Sequence, residues 1–569
     1  MKLNGAAILI ECLIEQGVGT VFGFPGGAVL PIYDALYSRR DRITHVLTAH
    51  EQHAGHAADG YARASGRTGV CIATSGPGAT NLVTAIATAY MDSTPVVFIT
   101  GNVPQNLIGT DSFQEADIAG MTMSITKHNY MVTSVEQLAE TLREAFYIAA
   151  SGRPGPVLVD IPKDVQIAET DYEPADGEAL IPKLSAKHPM MQLRPEGTAL
   201  ERYKVKAQPQ LERAAQLIAE AHRPLIYCGG GVILSGAQEE LMALADRVDA
   251  PVVSSLMGLG AEPADGDRML GMLGMHGTHA ANLAMQQCDL LIAVGVRFSD
   301  RALGKAETFA PNAKVLHIDI DRAEINKNVS TTLHITGDAR VVLELLLARV
   351  SKKRHDAWME QARSMREAYP DSDAFGPRAI LRGMAQLAPD VTVATDVGQH
   401  QMWTAQHFPF HRVRQLITSG GLGTMGFGLG AAMGAATSNP EGRPVVLVTG
   451  DGSFRMNLTE LSTIAHYDIP VIVVILNNGT LGMVRQWQKL FFDHRYSQTT
   501  LDRGPDFMKL AQAYGIGGER ADNMADFAAA FARAYAAGKP CIIECVLDID
   551  EMVAPMVAPG SPIDAFCLN

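Results

Sequence analysis

One unit recurs three times along the chain: a short apolar segment, a glycine-rich turn, a helix-like pattern and a second apolar segment. The apolar pairs are GVCIAT and TPVVFITGN (69–74 and 94–102), PLIYC and APVVSS (224–228 and 250–255), and PVVLVT and IPVIVVILNN (444–449 and 469–478). Short, wholly apolar strands that alternate with helices are typical of parallel sheets covered on both faces. The pattern therefore predicts an α/β protein made of three doubly wound parallel-sheet domains.

Two changes in composition suggest where these domains begin and end. Residues 161–200 are rich in proline and charge, as a linker would be, and a second charged break spans residues 351–377. Since domains usually contain about 100–200 residues, a chain of 569 residues fits three of them. We expect domains at 1–165, 200–345 and 375–569. The alternative is one large irregular sheet.

The overall composition excludes several classes of protein. Hydrophobic residues make up 47% of the chain and the formal net charge is −14, with no long basic run, so neither nucleic acid nor an anionic membrane is an expected partner. No apolar stretch reaches the roughly 18 residues of a membrane span. The seven cysteines are scattered without a metal-binding pattern, which suits a reducing compartment. We expect a cytoplasmic protein.

The turn of the third unit contains an acidic residue, Asp451, between two glycines, and Asn478 ends the next apolar segment. If the two strands are adjacent and parallel, both side chains lie at the same edge of the sheet. A carboxylate, an amide oxygen and a nearby backbone carbonyl suit Mg²⁺ or Ca²⁺. The amides of Gly452 and Ser453 open a helix and could hold phosphate groups. Taken alone, Asp451 would be an ordinary turn residue, and a nucleotide-binding loop is the other alternative, although no G-x-G-x-x-G is present.

This spacing of GDG and NN resembles the diphosphate-binding motif of the thiamine diphosphate enzymes. The resemblance implies that Asp451, Asn478 and the carbonyl of Thr480 bind Mg²⁺, which holds the cofactor's diphosphate. It also implies a glutamate from the other domain type, on another subunit, that contacts the pyrimidine ring. Glu51 follows the segment HVLTA and precedes a helical pattern, which suits that role. The alternative is that Glu51 only stabilises the first turn of its helix.

Further motifs occur along nearly the whole chain: VFGFPGGAVLPIYDAL (21–36), AHEQHAGHAADGYARASG (49–66), IGTDSFQEAD (108–117), GVRFSDR (295–301), DVGQHQMW (396–403), SGGLGTMGFGLGAA (419–432), GDGSFRMN (450–457) and LNNGTLGMVRQWQ (476–488). Together these segments resemble the catalytic subunits of the acetohydroxyacid synthases. Three positions depart from that family's usual residues: Asn102 in place of glutamine, Ser299 in place of aspartate and Gly430 in place of proline.

The same resemblance implies a role for further residues of the first and third domains. Gly27 and Gln114 would face the reacting carbon, and Met425 would support the bent cofactor. The resemblance also implies that Gln399 and His400 help to hold the diphosphate. It implies that Met483 and Trp487 line the substrate pocket.

The middle domain resembles the FAD-binding domain of the biosynthetic members of this family. FAD would be structural there and would take no part in redox chemistry. Arg297 would also pair with the carboxylate of the second substrate. The residues implied in FAD binding are Arg153, Gly229, Gly230, Gly231, Gly274, His276, Gly295, Arg297, Asp300, Arg301, Asp319, Asp338 and Ala339.

The reaction implied is the decarboxylation of pyruvate and its ligation to a second 2-keto acid, either pyruvate or 2-ketobutyrate. The products would be 2-acetolactate or 2-aceto-2-hydroxybutyrate, on the route to the branched-chain amino acids. The protein would be a homodimer or homotetramer with active sites between chains, and a small regulatory subunit is an expected partner. Other thiamine diphosphate enzymes remain alternatives: pyruvate oxidase, sulfoacetaldehyde acetyltransferase and glyoxylate carboligase, of which the last typically lacks the glutamate. A non-catalytic nucleotide-binding or regulatory protein is a further alternative.

Overall fold

The computed structural model describes residues 1–175, 197–366, 374–439 and 441–568. Three six-stranded parallel sheets with flanking helices occupy these ranges. The α/β architecture predicted from the sequence is therefore confirmed. In each repeated unit the two apolar segments form adjacent, parallel strands.

The first sheet has the strand order β3-β2-β4-β5-β7-β6, and β1 pairs with β8 in a separate antiparallel ribbon. The strands are β1 (Lys2–Asn4), β2 (Thr20–Phe24), β3 (Thr44–Leu47), β4 (Gly69–Ala73), β5 (Val96–Asn102), β6 (His128–Met131), β7 (Val157–Pro162) and β8 (Glu169–Asp171). The helices are α1 (Gly5–Glu15), α2 (Leu30–Tyr37), α3 (Glu51–Ser65), α4 (Pro77–Thr80), α5 (Val83–Met91), α6 (Ile118–Thr122), α7 (Val135–Ala150) and α8 (Lys163–Ile167), with 3₁₀ turns at Gly27–Val29, Gln105–Leu107 and Met123–Ile125.

The middle sheet has the order β11-β10-β9-β12-β13-β14. Its strands are β9 (Pro224–Cys228), β10 (Val252–Ser254), β11 (Met269–Met272), β12 (Leu290–Val294), β13 (Lys314–Asp319) and β14 (Leu333–Thr336). The helices are α9 (Gly197–Glu220), α10 (Gly230–Ser235), α11 (Gln238–Val248), α12 (His279–Gln287), α13 (Asp300–Leu303), α14 (Ala339–Leu347) and α15 (Asp356–Ser364), with 3₁₀ turns at Leu256–Gly258, Ala306–Thr308 and Arg322–Glu324.

The third sheet has the order β16-β15-β17-β18-β20-β19, and β21 pairs with β22 in a small antiparallel ribbon. The strands are β15 (Thr392–Thr395), β16 (Leu416–Ile417), β17 (Val445–Gly450), β18 (Val471–Asn477), β19 (Gly517–Ala521), β20 (Cys541–Val546), β21 (Met556–Val557) and β22 (Phe566–Leu568). The helices are α16 (Pro377–Leu387), α17 (Gln399–His407), α18 (Gly428–Thr437), α19 (Asp451–Phe454), α20 (Leu461–His466), α21 (Gly482–Phe491), α22 (Phe507–Tyr514) and α23 (Met524–Ala537), with a 3₁₀ turn at Leu458–Glu460.

The strand orders explain why the first and third units look most alike in sequence. Numbered within each sheet, both follow the order 2-1-3-4-6-5, whereas the middle sheet follows 3-2-1-4-5-6. In each sheet the order reverses beside the first strand, and open α/β sheets bind ligands in the crevice at such a point. The glycine-rich turns after β4, β9 and β17 all lie at these reversals.

Helices α3 and α18 join the first domain to the third through a glycine-lined crossing. A Cβ on Gly60 would lie 2.1 Å from the carbonyl oxygen of Ala431, and one on Gly434 would lie 1.8 Å from that of Ala57. Only glycine allows two helices to approach this closely. Gly430, which departs from the family pattern, lies in the same crossing, where a Cβ would be 2.8 Å from the carbonyl oxygen of His53.

The two predicted breaks contain more regular structure than a linker would. Residues 163–171 form α8 and β8, and β8 pairs with β1, while residues 176–196 of the first break lie outside the described residues. In the second break, α15 buries Trp358 and Ala362 in the core of the middle domain, and residues 367–373 again lie outside. The sequence analysis missed these elements because their few buried residues lie among many prolines and charged residues. No helix among the described residues is both long and apolar enough to cross a membrane.

Candidate functional site

Asp451 begins α19 directly after β17, and Asn478 directly follows β18. The two strands pair in parallel, with Gly450 opposite Leu476, so both residues leave the same edge of the sheet. Asp451 is 2% exposed, and neither of its carboxylate oxygens has a hydrogen-bond partner among the described residues. Burial raises the pKa of Asp451 to about 6, and the charge of Arg455 and the nearby backbone amides of Gly452 and Asn478 partly oppose that shift. A buried carboxylate without a partner is costly unless a cation binds it.

Hydrogen bonds within the third domain orient the amide of Asn478. Its Nδ2 donates to Oε1 of Gln399 over 2.9 Å. Gln399 in turn donates to Oε1 of Gln486 over 3.0 Å and to the carbonyl of Glu551 over 2.8 Å. Because the nitrogen of Asn478 is used in this way, its oxygen is the end that remains for a cation.

A short antiparallel bridge holds the loop that follows Asn478. Leu481 donates to the carbonyl of Thr499, and Leu501 donates to that of Gly479, both over 2.8 Å. These bonds flank Thr480, so the pairing leaves the carbonyl of Thr480 itself out of the ladder. A carboxylate, an amide oxygen and a free carbonyl form a hard oxygen donor set, which fits Mg²⁺. No group of three or more His, Cys, Asp or Glu side chains suited to a metal occurs in the described residues, so this mixed set is the candidate.

His400, in the first turn of α17, lies against the glycine that ends β17. It is 4% exposed, and a Cβ on Gly450 would be 2.9 Å from its Nδ1. Burial lowers the pKa of His400 to about 4, so the ring is neutral at pH 7. Its Nε2 is buried and has no partner within the described part of the chain. A neutral imidazole with an unused nitrogen can hydrogen-bond a bound phosphate group.

Met425 lies in a loop whose two sides are both held by hydrogen bonds. Thr424 donates to Oγ of Ser419 over 3.0 Å, and Gly426 donates both to Asp396 and to the hydroxyl of Ser453. Asp396 is fully buried and also accepts from Gly428, Thr449 and Asn457. The sequence analysis missed Asp396, although it follows β15 just as Asp451 follows β17.

The first domain has its own cluster at the carboxyl edge of its sheet. Glu51 begins α3 and is half-buried, and its Oε2 accepts from Nδ2 of Asn81 over 3.0 Å. A Cβ on Gly78 would lie 3.2 Å from Oε1 of Glu51, so the G-P-G turn packs directly on this carboxylate. Gln114 has a positive φ of 59°, and its Cα would be 2.8 Å from a Cβ on Gly76. Gly27 is exposed, with open space where its Cβ would be.

A cavity of about 1450 Å³ is lined by residues of all three domains. Fourteen of the predicted site residues line it, whereas Gly229 and Gly274 do not. Gly229 packs on the backbone of Gly295, and Gly274 packs on that of Arg301. Both glycines therefore allow two backbone segments to come close together. The lining residues are Arg153, Gly230, Gly231, His276, Gly295, Arg297, Asp300, Arg301, Asp319, Asp338, Ala339, Met425, Met483 and Trp487.

The two arginines of GVRFSDR both line this cavity but contact different residues. Arg297 donates to the carbonyl of Met91 in the first domain over 2.5 Å, and burial lowers its pKa. The guanidinium of Arg301 instead lies 5.7 Å from the ring centre of Trp487, and its side chain is 62% exposed. The structure thus places Arg301, and not Arg297, against the wall predicted to line the substrate pocket.

Three other predicted FAD residues have distinct surroundings. Arg153 donates to Asp321 over 3.0 Å and to Glu324 over 2.9 Å, so its guanidinium ties the two domains together. Asp319 ends β13, and burial raises its pKa to about 7. Buried Nε2 of His276 has no partner among the described residues. These groups and the turn at Gly230–Gly231 are suited to a dinucleotide with a ribose and a pyrophosphate.

The single chain does not bring all predicted residues into one site. Gly27, Glu51 and Gln114 are absent from the lining of the cavity that holds Met425 and Trp487. Asp451, Asn478, Thr480, Gln399 and His400 form the separate cluster at the end of β17 and β18 described above.

Comparisons with known proteins identify the family of the chain. Three family models match, all described as thiamine pyrophosphate (thiamine diphosphate) enzyme domains: the N-terminal TPP binding domain at residues 3–121, the central domain at 211–346 and the C-terminal TPP binding domain at 396–545. The probable acetolactate synthase large subunit of Methanocaldococcus jannaschii is 47% identical over 98% of this chain and 94% of its own length.

Two further relatives give the same result. The acetolactate synthase isozyme 2 large subunit of Escherichia coli K12 is 47% identical over 98% of both chains. The acetolactate synthase large subunit of Parasynechococcus marenigrum is 47% identical over 98% of this chain and 90% of its own. The protein therefore belongs to the acetolactate synthase large subunit family of thiamine diphosphate enzymes.

Proposed function

We propose that this enzyme decarboxylates pyruvate and ligates the remaining two-carbon unit to a second 2-keto acid, with thiamine diphosphate and Mg²⁺ as cofactors. The products are 2-acetolactate from pyruvate and 2-aceto-2-hydroxybutyrate from 2-ketobutyrate, the first common step of valine, leucine and isoleucine synthesis. One observation supports this most strongly: the buried, unpartnered carboxylate of Asp451 lies beside Asn478 in a chain 47% identical to acetolactate synthase large subunits.

The third domain would hold the diphosphate end of the cofactor. Asp451, the oxygen of Asn478 and the carbonyl of Thr480 would bind Mg²⁺, and the first-turn amides of Gly452 and Ser453 would hold the phosphates. When bound, thiamine diphosphate supplies a nucleophilic carbon and an electron sink. Gln399 keeps the Asn478 oxygen turned towards the cation, and neutral His400 hydrogen-bonds a phosphate oxygen.

The first domain of a second copy would complete each site, which makes the enzyme a homodimer or a homotetramer. Glu51 contacts the pyrimidine ring, while Gly27 and Gln114 face the reacting carbon. Large apolar side chains are exposed near this edge, with Phe113 87% and Met123 71% exposed in the single chain. Apolar surface of this kind usually marks a protein interface. The relatives' description as large subunits also favours a separate small regulatory subunit.

Arg301 and Trp487 would select the second substrate. A planar guanidinium binds a carboxylate in bidentate fashion, and Arg301 reaches into the cavity where Trp487 and Met483 provide apolar walls. We therefore assign the carboxylate of the acceptor keto acid to Arg301, which revises the sequence-based choice of Arg297. The apolar wall of Trp487 favours the longer side chain of 2-ketobutyrate over pyruvate.

The middle domain would bind FAD in the large cavity, where the flavin has a structural role. The turn at Gly230–Gly231 would hold the pyrophosphate, and Asp319 would bind a ribose hydroxyl. Arg153 lines the same space, although its ion pairs with Asp321 and Glu324 limit how far it can turn towards FAD. All seven cysteines are free thiols and six are buried, which supports a reducing, cytoplasmic setting.

One assay tests this function directly. The purified protein is incubated with pyruvate, thiamine diphosphate and Mg²⁺, with and without 2-ketobutyrate, and the products are identified by mass spectrometry. We expect 2-acetolactate alone in the first case and predominantly 2-aceto-2-hydroxybutyrate in the second, without consumption of oxygen. Acetate or acetyl phosphate formed with oxygen uptake would instead indicate a pyruvate oxidase.

A further inference from the structure

Glu460 of the third domain binds the turn that precedes Glu51 in the first domain. The side chain is fully buried. Its carboxylate accepts from the backbone amides of Ala49 and His50 over 3.0 and 3.1 Å, and Nδ1 of His53 lies 3.0 Å from the same oxygen. Hydrogen bonds from several donors to one buried carboxylate are strong and directional.

A second contact from the same segment reinforces the first. The backbone amide of Leu47, at the end of β3, donates to the hydroxyl of Tyr467 over 3.1 Å. Thr463 of α20 donates to Oε2 of Glu460 over 2.7 Å, which fixes the carboxylate from the adjacent helix. Residues 460–467 thus hold the whole turn between β3 and α3, on which Glu51 is the first helical residue.

We infer that Glu460 is a positioning residue for Glu51, and that it acts through the backbone of residues 49–50. This inference rests on the proposed function, in which Glu51 serves a cofactor held by the partner subunit. Glu460 makes no contact with Asp451 or Asn478 in its own chain that would explain its burial. Its four hydrogen-bonding partners lie in the turn before Glu51, in the first turns of α3 and in α20.

The arrangement links the two active sites of a dimer. The segment from Asp451 to Glu460 begins at the metal site of one active site and ends on the backbone that places Glu51 in the other.

Hybrid dimers test the inference. One chain carries Glu51→Gln and the other carries Asp451→Asn, so the only intact site combines Glu51 of the second chain with Asp451 of the first. Glu460→Gln is then added to either chain. We expect kcat to fall about tenfold, the scale of one or two weakened hydrogen bonds to a charged group, when the chain that supplies Glu51 carries the change. The same change on the other chain leaves kcat of the hybrid as it was.

The controls separate positioning from a general loss of structure. Tyr467→Phe removes the hydrogen bond to the amide of Leu47. It should also lower kcat only on the chain that supplies Glu51, and by less than Glu460→Gln does. Glu441→Gln, at an exposed surface pair, should change nothing in either chain. The inference is wrong if Glu460→Gln lowers kcat equally on either chain, or lowers it only on the chain that supplies Asp451. It is also wrong if kcat does not fall at all. A parent hybrid without activity would overturn the shared site itself and the inference with it.

Discussion

The amide nitrogen of Asn478 and Oε1 of Gln399 are 2.9 Å apart, and this hydrogen bond decides which end of Asn478 faces a cation. Gly482 makes the contact possible, since a Cβ there would lie 1.8 Å from Oε1 of Gln399. The orientation of one metal ligand thus depends on a glycine in the first turn of α21.

Gly482→Ala should therefore weaken cofactor binding. The added methyl group displaces the amide of Gln399, and Asn478 loses the partner that orients its oxygen. We expect the concentrations of Mg²⁺ and thiamine diphosphate that restore half of the activity to rise about tenfold, the equivalent of about 1.4 kcal/mol. Gly19→Ala is the matched control, because Gly19 has open space around its Cβ position. Unchanged cofactor titration in Gly482→Ala would contradict the role given to Gln399.

The second prediction concerns the stability of the cofactor-free protein. Burial raises the pKa of Asp451 from 3.8 to about 6, so the folded state holds this proton more tightly than the unfolded state does. The free energy of unfolding is therefore highest, as far as Asp451 is concerned, below about pH 4. It falls by about 3 kcal/mol as the pH rises to about 6 and Asp451 loses its proton. Asp451→Asn removes this loss. The metal-free variant should be more stable than the wild type by about 3 kcal/mol at pH 7.5 and by only about 1 kcal/mol at pH 4.5.

Thermal unfolding at both pH values measures this difference. With Mg²⁺ and thiamine diphosphate added, the order should reverse, since only the wild type gains stability from binding. If metal-free Asp451→Asn unfolds at a lower temperature than the wild type at pH 7.5, the carboxylate has a structural partner and is not an empty cation ligand.

The third prediction separates the two arginines. Arg301→Lys should raise the KM for the second keto acid at least about tenfold, because lysine lacks the planar, bidentate guanidinium. Arg297→Lys should change that KM less, since Arg297 bonds to a carbonyl of the first domain. Steady-state kinetics with 2-ketobutyrate measure both. A larger rise in Arg297→Lys would restore the assignment made from the sequence.

The fourth prediction concerns the crossing of α3 and α18. Gly434→Ala would favour helix formation by up to about 1 kcal/mol, yet its Cβ would lie 1.8 Å from the carbonyl oxygen of Ala57. Because backbone must move, we expect a net loss of about 1–3 kcal/mol. Denaturant unfolding of Gly434→Ala beside Gly19→Ala gives the comparison, and a stabilised Gly434→Ala would show that the two helices are not in close contact.

The sequence was informative wherever local pattern determines structure. Continuous apolar segments identified strands in all three sheets. Asp451, which follows β17, and Asn478, which follows β18, were correctly predicted to lie at the same edge of the third sheet. The same rule, an acid after a buried strand, would have found Asp396. Family resemblance, by contrast, could not show that Arg301 rather than Arg297 faces Trp487. The two arginines are only four residues apart, and the direction of each side chain depends on how the backbone turns between them.

Long-range contacts were beyond the reach of sequence patterns. Glu460 bonds to residues more than 400 positions away, and nothing around it distinguishes it from an exposed helical glutamate. The short helices α8 and α15 were likewise hidden, since proline and charge outweighed their few buried residues. In each case tertiary packing decided the outcome.

Subunit mixing tests most directly the claim that one cofactor is held by two chains. Glu51→Gln and Asp451→Asn are each expected to abolish activity in a homodimer. After random reassociation about half of the dimers are hybrids, and each hybrid has one intact site of two, so about one quarter of the wild-type activity should return. If Glu51 and Asp451 serve the same site within one chain, every site in the mixture is defective and no activity returns.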